Sequence, residues 1–283
     1  MRWPIRASGW TDAMSKRRLD PTLLVGLAML LPLCLCIGLG QVWTPHDPFL
    51  VDYGNTLQPP SATHWFGTDD LGRDVASRVM AGGLVDLRVA VVCVLAPAIL
   101  GIAIGALSGF VGGRVDTVIM RITDIFWAFP FHVLVIAIVG VLGPGESNLY
   151  LAFLLVNWIS FARITRGEVL VLRELEFVQA ARSFGSTDAR VVVTHILPNA
   201  VTPAIVYAMA DIVLTILAIT SLSFLGLGIQ PPTPEWGLMI ADGRQFMFDA
   251  WWIATCPGLA IIFTGVTFAL IGEGLDTALR PKG

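Results

Sequence analysis

The chain has 283 residues, of which 55% are apolar and only 14% charged, with a formal net charge of −3. Soluble domains carry roughly one quarter charged residues, so the composition excludes an ordinary soluble protein and indicates a polytopic membrane protein. The small net charge averages two unlike surfaces and gives no basis for a nucleic-acid partner.

Residues 1–20 form a basic tail with Arg2, Arg6, Lys16, Arg17 and Arg18, expected to be cytoplasmic and disordered. The apolar run Leu23–Val42 follows. It is long for a secretory signal core and shows no small-residue cleavage site, so it reads as a retained first helix. Residues 44 to about 86 then form the largest outer segment, opening on Thr44-Pro45-His46-Asp47-Pro48. Its acidic stretch, with Asp69, Asp70 and Asp74, lacks the spacing and terminal carboxylate of a calcium hand. The expectation is that Asp69 or Asp70 caps a helix and that Arg73 pairs locally with Asp74.

Val89–Gly113, Ile125–Gly145, Ile212–Pro234 and Ala250–Gly272 are further uncharged stretches. At 1.5 Å per residue such stretches cross, or nearly cross, a hydrocarbon core of about 30 Å. Ser147–Ala162 is shorter but ends at Arg163 and Arg166, whose stems reach the interface from just inside it. The working architecture is an all-α membrane protein, residues 21–283, with six spans at about 22–43, 88–111, 118–142, 148–165, 201–226 and 250–273. Gly112-Gly113-Arg114 reads as a hairpin between the second and third spans. Of the 18 Lys and Arg residues, only Arg73, Arg78, Arg88 and Arg244 fall opposite the side that holds both ends of the chain. The positive-inside rule therefore places both termini in the cytoplasm. The outer loop from about Gly226 to Asp249 is proline-rich and bears Trp236, with Trp251 and Trp252 following it; these suit a membrane interface. It serves either as a structural lid or as a contact for an external protein.

Between the fourth and fifth spans, residues 166–199 form a charged cytoplasmic island. In Glu176-Phe-Val-Gln-Ala-Ala-Arg-Ser-Phe-Gly185, Phe177, Ala180, Ala181 and Phe184 recur at helical spacing, while Glu174, Gln179 and Arg182 are left to solvent. Gly185 ends the helix, and Ser186 and Asp188 carry acceptors suited to cap the next. A lipid-embedded chain has little internal use for such a segment, which reads as a docking surface for a soluble partner.

Catalytic chemistry is not visible. No phosphate-binding Gly-x4-Gly-Lys-Ser/Thr loop occurs, no Gly-x-Ser-x-Gly elbow, and His46, His64, His132 and His195 show no metal-ligand spacing. No metal site is therefore expected. Cys34, Cys36, Cys93 and Cys256 lie within apolar spans and are expected to be buried packing residues. His132, two residues after Pro130, is expected to donate to a carbonyl freed by a proline kink. Asp211 is the one acidic group placed well inside a span. It lines a translocation path, is paired at a subunit interface, or lies nearer the surface; the first is the working hypothesis, making Asp211 the candidate pore residue.

The island resembles the loop that defines permease subunits of ATP-binding-cassette importers, Glu-Ala-Ala-x3-Gly-x9-Ile-x-Leu-Pro. Here it reads Gln179-Ala180-Ala181-x3-Gly185-x9-His195-Ile196-Leu197-Pro198, with Gln179 in place of the acid and His195 in place of the isoleucine. Gly67-Thr-Asp-Asp-Leu-Gly72-Arg-Asp-Val-Ala-Ser-Arg78 and Ser223-Phe-Leu-Gly-Leu-Gly-Ile-Gln-Pro-Pro-Thr-Pro-Glu-Trp-Gly237 are similar to signatures of the dipeptide/oligopeptide/nickel permease group, C-type subunit. Gly112-Gly-Arg-Val-Asp-Thr117 and Ala128-Phe-Pro130 fit the same group. The resemblance implies a type I importer-like bundle in a bacterial-type cytoplasmic membrane. Its implied partners are a second homologous permease, two ATPase subunits or one fused ATPase, and an external substrate-binding protein. ATP and Mg would be held by the ATPase subunits, with no cofactor in this chain. Glu176, Phe177, Gln179, Ala180, Ala181, Arg182, Phe184 and Gly185 would belong to the coupling helix. The resemblance implies di- or oligopeptides as substrate, with nickel, glutathione or another small solute as alternatives, and assigns no role to Asp211. An ion-coupled secondary transporter is the competing class, disfavoured by the single intramembrane acid and the lack of a repeat.

Overall fold

The computed structural model describes residues 20–279. Most of the basic tail, residues 1–19, lies outside the described residues, so the expectation of disorder there is not addressed. Among the described residues there is no strand, only an isolated bridge between Thr68 and Asp74. Helix α1 spans Pro21–Val42, α2 Val75–Val111, α3 Gly113–Trp127, α4 Phe131–Leu142 and α5 Glu146–Leu172. The short α6, Glu176–Ser183, precedes α7, Asp188–Phe224; α8, Trp236–Gly243, precedes α9, Trp252–Leu279. Five of these helices are long and apolar enough to cross a membrane, or six spans if the bent pair α3 and α4 counts as one.

Each helix end has a local cause. Asp20 accepts from the Thr22 backbone N–H at 2.8 Å, and Pro21 occupies the first turn of α1, where no donor is lost. Helix α2 is capped by Asp74, which accepts from the Ser77 N–H at 2.8 Å, so neither Asp69 nor Asp70 is the cap. Arg73 pairs with Asp69 at 2.6 Å rather than with Asp74. Because Arg78, Asp86 and Arg88 lie on α2, charge counting starts the second span at 88; the helix instead begins at Val75. Its 37 residues extend about 55 Å, well beyond a hydrocarbon core. The expected hairpin after it is present, with Gly112 and Gly113 at φ +67° and +57°.

The third span departs from expectation. Pro130 cannot continue a helix through residues 118–142, and α3 and α4 meet at a bend of 84°. Helix α5 runs on to Leu172 and α7 begins at Asp188, so the charged island is flanked by helices longer than the uncharged stretches suggested. A turn of π-helix, Val192–Ile196, lies near the start of α7.

Close packing in the bundle rests on small residues. Gly101, Gly105 and Gly109 form one stripe of α2 against α5, where an added Cβ would lie 2.3 Å from the Trp158 and Ala162 carbonyl oxygens and 3.0 Å from that of Arg166. Four-residue spacing places all three on one face, and the helices approach to backbone contact, as membrane helices do where van der Waals packing replaces hydrophobic exclusion. Gly26 and Gly274 play the same part between α1 and α9.

At one end of the bundle residues 43–74 and 225–251 interlock as a cap. Trp236, expected at a membrane interface, is fully buried: its Nε1 donates to the Val79 carbonyl at 2.9 Å and its backbone N–H to Asp86 at 3.0 Å. Glu235 caps α8, and Trp252 donates to the Thr68 carbonyl at 3.0 Å. Arg78 reaches the Pro48 carbonyl at 3.0 Å and faces Asp69 at 3.7 Å. In α8, burial and the Asp70 carboxylate raise the Asp242 pKa above its ordinary value, opposed by Arg73 and Arg78. Bonds from Trp236, Trp252 and Arg78 thus tie the two sequence motifs of this end into the cap.

The cysteines divide. Cys93 is buried between helices as expected, but Cys34 and Cys36 are exposed on α1, and Cys256 is half-buried. An apolar span with a lipid-facing side has no need to bury every cysteine it carries.

Candidate functional site

The charged island lies at the end of the bundle opposite the cap, where α5 runs out and α7 begins. Its helix α6 is held by Val178, which is buried with Val191, Ile196 and Ala200 against Ala106 of α2 and Val169 of α5. Ala181 packs on the same cluster. The face read from the sequence as one apolar stripe is therefore divided. Val178 and Ala181 face the protein's own core, whereas Phe177 is 46% exposed, Phe184 90% exposed, and Ala180 exposed beside them. The phenyl ring of Phe177 is edge-on to His195, with centroids 6.4 Å apart.

Gly185 closes the helix at φ +82°. The Ser186 N–H donates to the Ala181 carbonyl at 3.2 Å and the Gly185 N–H to the Arg182 carbonyl at 2.9 Å, the paired bonds of a Schellman stop. The following helix is capped by Thr187, whose hydroxyl accepts from the Arg190 N–H at 3.4 Å, rather than by Ser186 or Asp188. The island's polar residues are partly committed to the chain itself. Arg182 stacks 4.7 Å over the Phe110 ring and stands 3.9 Å from Asp188; Gln179 donates to the Glu174 carbonyl at 3.1 Å. Glu176 is exposed in the first turn of α6, where a carboxylate favours the helix dipole. Arg173 donates to the Gly109 carbonyl at 2.7 Å, and Arg166 reaches Asp116 at 2.6 Å, tying α5 to the end of α2 and the start of α3.

A second locus lies within the bundle. Asp211, near the middle of α7, is 4% exposed and accepts from Asn157 of α5 at 2.7 Å. It borders a cavity of about 270 Å³ between α5, α7 and the break between α3 and α4. Burying a carboxylate in a membrane helix costs roughly 2.5–3.5 kcal/mol on insertion scales, and a single neutral amide offsets only part of that. His132 lines the same cavity, and its ring makes no hydrogen bond to a carbonyl among the described residues. Its side chain is exposed where it borders the cavity.

The structure also brings together residues that spacing alone kept apart. Ligand-capable atoms of His46, His64 and Asp74 lie within 4.8 Å of one another, a proximity that their spacing along the chain does not announce. The two imidazoles stack with centroids 4.6 Å apart. His64 Nδ1 lies 2.9 Å from Asp74 and His46 Nε2 lies 2.8 Å from the Thr63 carbonyl, so hydrogen bonds within the cap account for the convergence.

Residues 101–282 match the family described as binding-protein-dependent transport system inner membrane component. The chain is 42% identical over 261 residues to the probable D,D-dipeptide transport system permease protein DdpC of Escherichia coli K12, covering 92% of this chain and 88% of that one. It is 40% identical over 258 residues to the glutathione transport system permease protein GsiD of Pectobacterium atrosepticum, covering 91% and 85%. The nickel transport system permease protein NikC of Escherichia coli K12 is 42% identical over 241 residues, covering 85% and 87%. These likenesses span the bundle, the island and the cap alike, so the chain belongs to the inner-membrane permease components of binding-protein-dependent, ATP-binding-cassette importers.

Proposed function

We propose that this chain forms half of the translocation pathway of an ATP-driven importer, beside a second, homologous permease, and is moved by ATPase subunits seated on the island. The observation that carries this is the exposure of Phe177 and Phe184 on a helix whose other face is anchored in the bundle. Phe184 stands 90% exposed and Phe177 is 46% exposed with an edge contact to His195, while Val178 and the Gly185 stop hold the helix that presents them. Such anchors, seated in a groove, are the usual energetic centres of a protein interface.

The positive-inside rule puts the island in the cytoplasm, where ATP is available, and the cap outside, where a binding protein delivers substrate. Closure of the ATPase subunits would draw the islands together. Rigid α5 and α7, joined to the island by Arg166, Arg173 and the Val178 cluster, would carry that displacement to the bend between α3 and α4 and exchange the side from which the pathway is open.

Di- or oligopeptides are the substrate class proposed, following the name of the dipeptide relative; glutathione and nickel are the alternatives that the other relatives' names supply. The decisive experiment is uptake by the reconstituted complex in sealed vesicles. Uptake requires ATP and the binding protein and persists after collapse of ion gradients; uptake driven by a gradient without ATP would assign the chain to secondary transport.

A further inference from the structure

We propose that the cavity beside Asp211 is a transit site for a protonated amine, so that the solute carried through this permease presents an ammonium group. The inference rests on the importer reading and deepens it by naming a chemical class.

Three features of the cavity point to a cation of this kind. Asp211 is a buried carboxylate that forms no ion pair with Arg, Lys or His among the described residues; its hydrogen-bond partner is the neutral Asn157 amide, and Tyr207 lines the cavity beside it. An ammonium supplies the missing charge and three N–H donors. Second, the walls are aromatic. Phe126, Trp127, Phe129 and Phe131 from the bend, with Tyr207 from α7, offer ring faces and edges around one acidic group. That such a ring accepts a cation is shown next door: the Arg163 guanidinium stands 4.1 Å over the Trp127 ring while its charge is met by Asp124. Third, the donor set is wrong for a bare metal ion. Asp211 is not part of any group of three His, Cys, Asp or Glu ligand atoms among the described residues, and a first-row metal needs more than one carboxylate.

Size narrows the class further. A volume of about 270 Å³ is below the range of sites that enclose drug-sized ligands, so the cavity holds an end group of the solute while the remainder lies in the pathway. The position also suits transit, because one wall is the 84° bend between α3 and α4 and the other is α7, which leads from the island. Peptides and glutathione carry a free amine; a naked nickel ion does not.

The test reads local charge without needing the natural solute. In the full complex in membranes, Cys34, Cys36, Cys93 and Cys256 are replaced, and Ser160→Cys or Leu214→Cys is introduced as a reporter in the cavity wall. Modification by a trimethylammonium-ethyl methanethiosulfonate is compared with that by the sulfonate analogue, each normalised to its rate with free cysteine. The expected result is a preference of about tenfold or more for the cationic reagent, lost in Asp211→Asn and kept in Asp211→Glu. Alanyl-alanine should protect the reporter and its N-acetyl derivative should not. Equal normalised rates, a preference unchanged by Asp211→Asn, equal protection by both dipeptides, or no reaction at either position would each overturn the proposal. Co-purification of ATPase subunits with the same complex tests the importer reading separately, so a charge-blind cavity in an ATPase-bearing complex would sink the inference alone.

Discussion

Phe184 gives the sharpest perturbation of the island. With 90% of its surface exposed, its side chain contributes almost nothing to the fold of the chain, and truncation to alanine leaves no cavity in the permease. If it seats in an ATPase groove, nearly the whole side chain is removed from water on assembly. Fully burying a phenylalanine is worth about 1.5–3 kcal/mol, and interface anchors commonly lose about 2 kcal/mol or more on truncation. A loss of about 2–3 kcal/mol corresponds to roughly 30- to 150-fold weaker association of the ATPase. The assay is titration of purified ATPase onto detergent-solubilised wild-type and Phe184→Ala permease, with thermal unfolding of the permease alone as the control. The expected outcome is unchanged unfolding and weakened ATPase binding. Wild-type affinity in Phe184→Ala, with Phe177→Ala equally silent, would refute the docking argument, since no other large apolar side chain of α6 faces outward.

Four further outcomes follow from the packing. Gly185→Ala meets no atom within 4 Å, so its cost is the left-handed backbone alone, about 1–2 kcal/mol; circular dichroism should stay unchanged while ATP-coupled uptake falls. Gly105→Leu drives a side chain into the Ala162 carbonyl and should destabilise the α2–α5 pair by about 1–3 kcal/mol or more, read as a lowered melting temperature in detergent. Trp236→Ala removes a fully buried indole and its bond to Val79, for a loss of about 3–5 kcal/mol, and should expose the cap to proteolysis without affecting ATPase association. Val178→Asp places a charge in the cluster that anchors α6 and should abolish ATPase binding even though Phe184 is intact.

The sequence made the fold class legible because apolar runs long enough to span a bilayer leave few alternatives, and it located the island because charge there is so unlike its surroundings. Helix limits were less visible. Arg78, Asp86 and Arg88 look like the end of a membrane segment, yet the Pro48, Trp236 and Glu146 partners that satisfy them come from distant positions in the chain. The same holds for His46, His64 and Asp74, which only the folded cap brings together. The Gly101, Gly105 and Gly109 stripe is legible in its four-residue spacing as a close-packing face. At the island, helical periodicity located the helix that exposes Phe177 and Phe184 but could not tell that Val178, off the Phe177–Phe184 line, would anchor the helix inward. Nor could any local pattern show that Asp211 borders a cavity walled by the break at Pro130, because that wall depends on an 84° turn between two helices.

The central claim, that this permease is driven from the island by separate ATPases, is tested most directly by the native mass of the complex isolated through an affinity tag on the full chain. The account predicts one copy of this chain with one second permease and two ATPase domains, and loss of the ATPase mass in a Phe177→Ala, Phe184→Ala double variant. A chain isolated alone or only with copies of itself, without ATPase, or a double variant that retains the full mass, would contradict it.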